Sequence, residues 1–204
     1  MMEKEYFISS YCHIRNNTIS LNGTTLYQEQ HPDFKSLAKS AYRYFQTDYS
    51  KFFKMDNLSK LGFLAADILL KNEGVLPENE ENIAIVLSNR ASSLDTDRKH
   101  WESIRDPDTY YPSPAIFVYT LPNICIGEIS IRHKLYSENS FFIFDEFNPS
   151  HLFSYANGLL DMQKAEKVLC GWVDFDGPDY EAFLYLVNKK GAIEHSIEEI
   201  TRLF

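Results

Sequence analysis

Reactive side chains are sparse in this sequence, and most of them stand alone. The six histidines, His13, His31, His100, His133, His151 and His195, include no HxxxH or HExxH pair, so no metal-ligand set is predicted. Gly62, Gly74, Gly127 and Gly158 are likewise isolated, without the spacing of a phosphate-cradling loop. Neither a metal nor a cofactor is expected. Cys12, Cys125 and Cys170 are odd in number and lack CxxC spacing, which disfavours a disulfide framework and fits a reduced, cytoplasmic setting. Cys125 and Cys170 fall in apolar stretches, where a thiol behaves as a small inert hydrophobe. The pair Asp95 and Asp97 suits the first turn of a helix better than acid–base work. One turn differs from the rest: Phe144-Asp145-Glu146-Phe147-Asn148-Pro149 joins an apolar strand to a helix start, an elbow that presents side chains. Amides and the helix dipole there favour an ionised Glu146, which either supports the helix start or acts chemically.

The elements that must position these groups alternate along the chain. Phe7–Arg15 and Thr18–Leu21 read as a strand pair around Asn16-Asn17, and Ser36–Tyr44 reads as a helix. A stronger helix spans Asn57–Lys71, where Leu58, Leu61, Leu64, Ala65, Ile68 and Leu69 recur at i, i+3, i+4 spacing before Gly74. Ile83–Leu87 is a continuously apolar, β-branched run of the kind covered on both faces. Further strands are expected at Ser140–Phe144, Lys167–Val173 and Ala182–Asn188, with one helix from Ala115 to Ile131 and another from Pro149 to Lys164, capped by Asn148. Such βαβα alternation predicts a layered α/β sheet, and without a linker or repeat residues 1–204 read as one domain.

With 20 basic against 29 acidic side chains, the formal net charge of −9 argues against a nucleic-acid or anionic-membrane binder. The amino terminus lacks a secretory signal, and no stretch reaches the roughly 20 apolar residues of a membrane span. The charge is uneven, however. Lys35, Lys39, Arg43, Lys51, Lys54 and Lys60 cluster against only Asp48 and Asp56, interleaved with Tyr42, Tyr44, Phe45, Tyr49, Phe52 and Phe53. This segment either docks an acidic partner or is a solvated face whose cationic stems cover aromatic rings.

Three ordered blocks carry a family resemblance. Met55-Asp56-Asn57-Leu58-Ser59-Lys60-Leu61-Gly62 with Ala65-Ala66 comes first, then Ile85-Val86-Leu87-Ser88 with Ser93-Leu94-Asp95-Thr96-Asp97. Pro112-Ser113-Pro114-Ala115-Ile116-Phe117-Val118-Tyr119-Thr120-Leu121-Pro122-Asn123 follows, running into Gly127-Glu128-Ile129-Ser130-Ile131-Arg132. Together they resemble the amino-terminal half of the β-ketoacyl-acyl-carrier-protein synthases, from about residue 50 to residue 188. The resemblance implies a thiolase-like half, a layered mixed α/β sheet with helices. In that family a short strand leads to an elbow bearing the acyl-accepting cysteine, then a helix sandwiched between sheets. Carried over without a gap from Asn139, the strand falls on Phe141–Phe144, the nucleophile position on Glu146 and the helix on Ser150–Lys164.

A carboxylate cannot replace the thiolate as a durable acyl acceptor, because the acylated product is a reactive anhydride. The family's catalytic histidines and lysine belong to a second half without counterpart in these 204 residues. What the resemblance implies is a non-catalytic accessory protein of fatty-acid, polyketide or aryl-polyene-type lipid synthesis. Its expected partner is a full-length ketosynthase, the acyl carrier protein or both, the latter through Lys35–Lys60. Family members pair through the strand before the nucleophile, so Ser140, Phe141, Phe142, Ile143 and Phe144 are the expected strand of a homodimer or heterodimer. Two readings compete: an acyl-transfer or hydrolytic enzyme using Glu146, and an acyl-chain binding module lined by Phe141, Phe142, Phe144, Phe147 and Phe153. The helix at Pro149–Lys164 carries an apolar stripe and a polar side, so its outer face meets water, a partner or the amphipathic segment Ile193–Phe204.

Overall fold

The computed structural model describes residues 6–31 and 33–204. The chain begins with a meander: β1 (Phe7–Arg15), β2 (Thr18–Leu21) and β3 (Thr24–Gln28) run antiparallel. Two-residue turns join them. Asn16 and Asn17 have φ of 50° and 57°, and Asn22 and Gly23 have 51° and 80°, the left-handed pairs that match the twist of a tight hairpin. Helix α1 (Phe34–Tyr44) starts two residues before the expected Ser36, because Asp33 caps it by accepting from Ser36 N–H. A short 3-10 turn, Ser50–Lys54, leads into α2 (Asn57–Asn72), capped in the same way by Asp56 on Ser59 N–H.

Strand β4 (Ile83–Asn89) is buried along its whole length, as its unbroken apolar run requires. Helix α3 (Leu94–Ile104) then crosses to the stretch expected as one helix over Ala115–Ile131. That stretch is two helices, α4 (Pro114–Val118) and α5 (Ile124–His133). Pro122 accounts for the break: it has no N–H to continue the ladder and its ring clashes with a preceding turn, so the chain bends between Tyr119 and Asn123. After β5 (Asn139–Ile143) come α6 (Pro149–Asp161), β6 (Lys167–Asp176), β7 (Asp179–Asn188), β8 (Ile193–Glu194) and α7 (Ile197–Leu203). The strand before the elbow thus lies one residue earlier than expected, leaving Phe144 outside it. Helix α6 stops at Asp161 rather than Lys164.

The strands form one sheet in the order β3-β2-β1-β7-β6-β4-β5, with β8 pairing the start of β1. Only β4 with its neighbours β5 and β6 is parallel, so the sheet is mixed rather than a simple βαβα array. Helices α1, α2 and α5 cover one face. Nearly every α2 residue from Leu58 to Leu70 is buried, so this helix is covered all round rather than on one stripe. The other face is covered by α6 and α7, with Leu152, Ala156, Leu159 and Leu160 against Val86, Val168 and Cys170, and Ile200 and Leu203 closing the end. Each such aliphatic burial contributes about 1.5–3 kcal/mol relative to exposure. The segment after β7 supplies part of the cover on α6.

Candidate functional site

Strand β5 lies at the sheet edge, hydrogen-bonded among the described residues to β4 alone. The chain leaves it with Phe144 N–H still donating to Asn89 O at 2.9 Å, and Asp145 and Glu146 then turn outward into solvent. Phe147 folds back: its ring stacks on Phe204 at 4.1 Å between centroids and meets Phe183 and Trp172 edge-on. Asn148 ends the turn by accepting from His151 N–H at 2.9 Å, with Pro149 in the first helical turn. The helix start is therefore served by Asn148 and not by Glu146. Glu146 is exposed, and among the described residues no histidine, lysine or arginine bonds to it. The elbow positions a carboxylate without giving it a proton-sharing partner.

Beside the elbow, at the carboxyl ends of β4 and β6, is a polar cleft of about 640 Å³ lined by Arg15, Arg90, Trp172, Asp174, Tyr180 and Glu181. This end of parallel strands is where α/β sheets hold ligands. The charges here are already matched. Asp174 accepts from the amides of Arg90 and Ala91 and sits 3.6 Å from the Arg90 guanidinium, while Arg15 pairs with Glu181 at 3.3 Å and donates to Phe204 O. Sequence reading missed this group because its members come from three distant segments with no shared motif.

The aromatic residues around the elbow do not line one cavity. Phe141 packs toward the α2 side of the sheet, whereas Phe142, Phe147 and Phe153 join the α6 side, and Phe144 stacks on Phe142 and meets His151 edge-on. That division removes the acyl-chain pocket built from all five.

The basic segment resolves into three parts. Lys35, Lys39 and Lys60 surround a groove of about 310 Å³ between α1 and the start of α2, lined also by Phe34, Ala38, Phe52, Phe53 and Asn57. Lys51 is committed elsewhere, 2.9 Å from the carboxylate of the buried Glu128, which also accepts from Tyr119 OH. Burial, with Glu128 second, pushes the Tyr119 phenol up. Arg43 and Lys54 stand exposed beside the groove. Lys60 is half-buried, and burial pulls its ammonium below the ordinary value; Lys99 and Lys35 push it the same way, against the pull of Asp56.

The thiols are unreactive by position. All three cysteines are buried, and burial pushes Cys12 up to about 12 and Cys125 and Cys170 higher still. Asp95 and Asp97 do lie in the first turn of α3, yet they bond to side chains: Asp95 accepts from Asn57 and Lys99, and Asp97 from Ser93. No helix among the described residues is long and apolar enough to cross a membrane.

No family model matches this sequence, and no curated protein matches it. Solved structures do match. The ishigamide ketosynthase/chain length factor aligns with a TM-score of 0.66 at 17% identity, covering 90% of this chain and 62% of that one. The type II PKS complex AntDE:AntF, an acyl-carrier protein with its ketosynthase bound to the hexaketide, aligns at 0.64 with 12% identity, covering 98% and 65%. The ketosynthase ApeO in complex with its chain length factor ApeC from Xenorhabdus doucetiae aligns at 0.56 with 14% identity, covering 92% and 80%. The chain spans less than two thirds of the length of the first two. Its mixed α/β sheet with helices on both faces has the thiolase-like ketosynthase fold.

Proposed function

We propose that this chain is a non-catalytic, ketosynthase-like accessory subunit in fatty-acid, polyketide or aryl-polyene-type lipid synthesis. It pairs with a ketosynthase, or with its own copy, along β5, and it meets an acyl carrier protein on the basic face of α1 and the Ser50–Lys54 turn. The observation that carries this reading is the edge strand itself. Among the described residues β5 is paired on one side only, Ile143 is 49% exposed, and an open apolar edge of this kind favours pairing with a second strand. Glu146 where the resemblance puts a cysteine, exposed and without a proton-sharing partner, supports the non-catalytic part. Arg43, Lys54 and the lysines of the groove give the positive face that an acidic carrier would meet.

The test is copurification of the tagged chain with a ketosynthase and an acyl carrier protein from the same genome, followed by size-exclusion chromatography. Retention of the ketosynthase or the carrier at micromolar concentration is expected, with no turnover of acyl- or malonyl-carrier by this chain alone. Failure to retain either overturns the accessory reading. Turnover that Glu146→Gln abolishes in a folded protein overturns the non-catalytic one.

A further inference from the structure

The groove between α1 and α2 joins two surfaces that a merely solvated face keeps apart. Its wall is aromatic: Phe34 and Phe52 are buried at the floor, and Phe53, whose ring packs against Tyr42 at 4.7 Å, is 54% exposed. Its rim is cationic, with Lys35 and Lys39 one turn apart on α1 and Lys60 facing them from α2. The carboxylates nearest this rim are turned to other work. Asp33 accepts from Ser36 N–H, and Asp56 accepts from Ser59 N–H and Thr96 Oγ, while Lys99 is held by Asp95. Among the described residues, no acidic group lies within ion-pair distance of Lys35, Lys39 or Lys60. Three ammonium groups therefore share one apolar hollow without an ion pair, Asp56 acting on Lys60 only from beyond ion-pair distance.

We infer that this groove binds a small amphipathic anion, a short hydrocarbon chain ending in a carboxylate or phosphate, with its tail on Phe52 and Phe53 and its head group among Lys35, Lys39 and Lys60. A volume of 310 Å³ lies at the small end of the roughly 300–1,000 Å³ of ligand pockets, which favours a single-chain molecule. The net charge of −9 opposes docking onto an anionic bilayer, so the occupant is a dispersed molecule rather than a lipid surface. An anion placed there relieves the repulsion between Lys60 and Lys35 and forms charge-assisted hydrogen bonds beside a partly dry wall. This inference does not depend on a ketosynthase or carrier partner.

The experiment is titration of the isolated full chain with octyl phosphate and with decanoate, each below its micelle concentration, followed by calorimetry and amide NMR shifts. Saturable one-to-one binding of at least one is expected, with shifts centred on Phe34–Lys39 and Phe52–Lys60. Octanol and inorganic phosphate should each bind at least about tenfold more weakly, because each offers only half of the match. Lys35→Gln with Lys60→Gln, and separately Phe53→Ser, should weaken binding about tenfold, while Lys189→Gln with Lys190→Gln, exposed after β7, leaves it unchanged. All these side chains reach the surface, so the variants are expected to fold. No saturation, equal affinity in the groove variants, or stronger capture by phosphatidylglycerol vesicles than by the dispersed anions overturns the inference.

Discussion

Substituting Asp67 tests how the face bearing the groove is held in place. Its carboxylate is inaccessible to solvent, on α2 against α5. Oδ2 lies 2.7 Å from Lys71 Nζ and accepts from Thr47 Oγ at 3.1 Å, while Oδ1 lies 3.3 Å from His133 Nε2 and 3.9 Å from Arg132 Nε. Burial alone raises such a carboxyl; the bonds and charges of His133 and Lys71 outweigh it, and the group sits below its ordinary value. Asp67→Ala leaves the Lys71 ammonium and the largely buried Arg132 guanidinium without their shared carboxylate and Thr47 Oγ without its acceptor, and the expected cost is about 3–5 kcal/mol. With a urea dependence near 2–3 kcal/mol per molar for a chain of this size, the unfolding midpoint should fall by about 1–2 M. Asp67→Asn keeps the shape and the Thr47 contact, so about half that loss is expected. Because the folded carboxyl titrates lower than the unfolded one, its contribution is complete above the ordinary value of 3.8 and disappears as pH falls through the folded value. The variants should therefore lose less stability than the parent below that pH. Equilibrium urea unfolding by circular dichroism reads both effects. A shift under about 1 kcal/mol for Asp67→Ala would refute the argument, since it would mean that the buried charges find partners without Asp67. Arg132 also lies over the Tyr49 ring, and Tyr49 stacks on Phe63 and donates its N–H to Tyr42 OH. The same substitution should loosen the Ser50–Lys54 turn, read as amide exchange there.

Three further outcomes follow from single sites. Burial holds His13 and His195 neutral down to about 4, so the unfolded chain takes up protons first, and stability should decline as pH falls from 6.5 toward 4, measured by thermal melts across that range; His195→Gln should flatten the decline. Gly171→Ala drives a methyl group into the Phe183 carbonyl oxygen at the centre of the sheet, so little folded protein should be recovered; a normal circular dichroism spectrum would show that the strands can part. Ile143→Lys puts a charge on the exposed end of β5 and should abolish self-association or ketosynthase retention on size exclusion while leaving the melting temperature within a few degrees.

Where the sequence repeats a physical pattern over many residues, the structure follows it. The heptad-like leucines of α2, the β-branched run of β4 and the Asn148-Pro149 start of α6 each carry their own length and cap, and the elbow was legible because all its parts are adjacent. Continuity of apolar residues misled at Ala115–Ile131, where one missing amide at Pro122 outweighs the run around it. Strand β3 left no signal, because Thr24-Thr25-Leu26-Tyr27-Gln28 lies at the outer edge, where half-polar residues suffice. The basic segment was visible as composition, but its division was not. That Lys51 belongs to Glu128 depends on α5 docking against α2, and no local spacing encodes that contact.

The inner side of the elbow is closed by the chain's own residues, and this restricts where a partner can meet it. Phe204 stacks on Phe147 and touches Phe183, while Ile200 and Leu203 are buried beneath α6. A second protein cannot take the place of Phe204 on the Phe147 ring without displacing the end of α7, which would expose about three apolar side chains at about 1.5–3 kcal/mol each. What remains open is the hydrogen-bonding edge of β5 and the adjoining flank of α6, where Tyr155 OH lies 2.8 Å from Ser140 Oγ and Met162 is 66% exposed. A strand added to β5 meets that flank at once, so pairing along the edge buries apolar surface as well as satisfying backbone groups. Displacement of α7 offers a partner no comparable gain, because the residues it uncovers are already matched to Phe147 and Phe183.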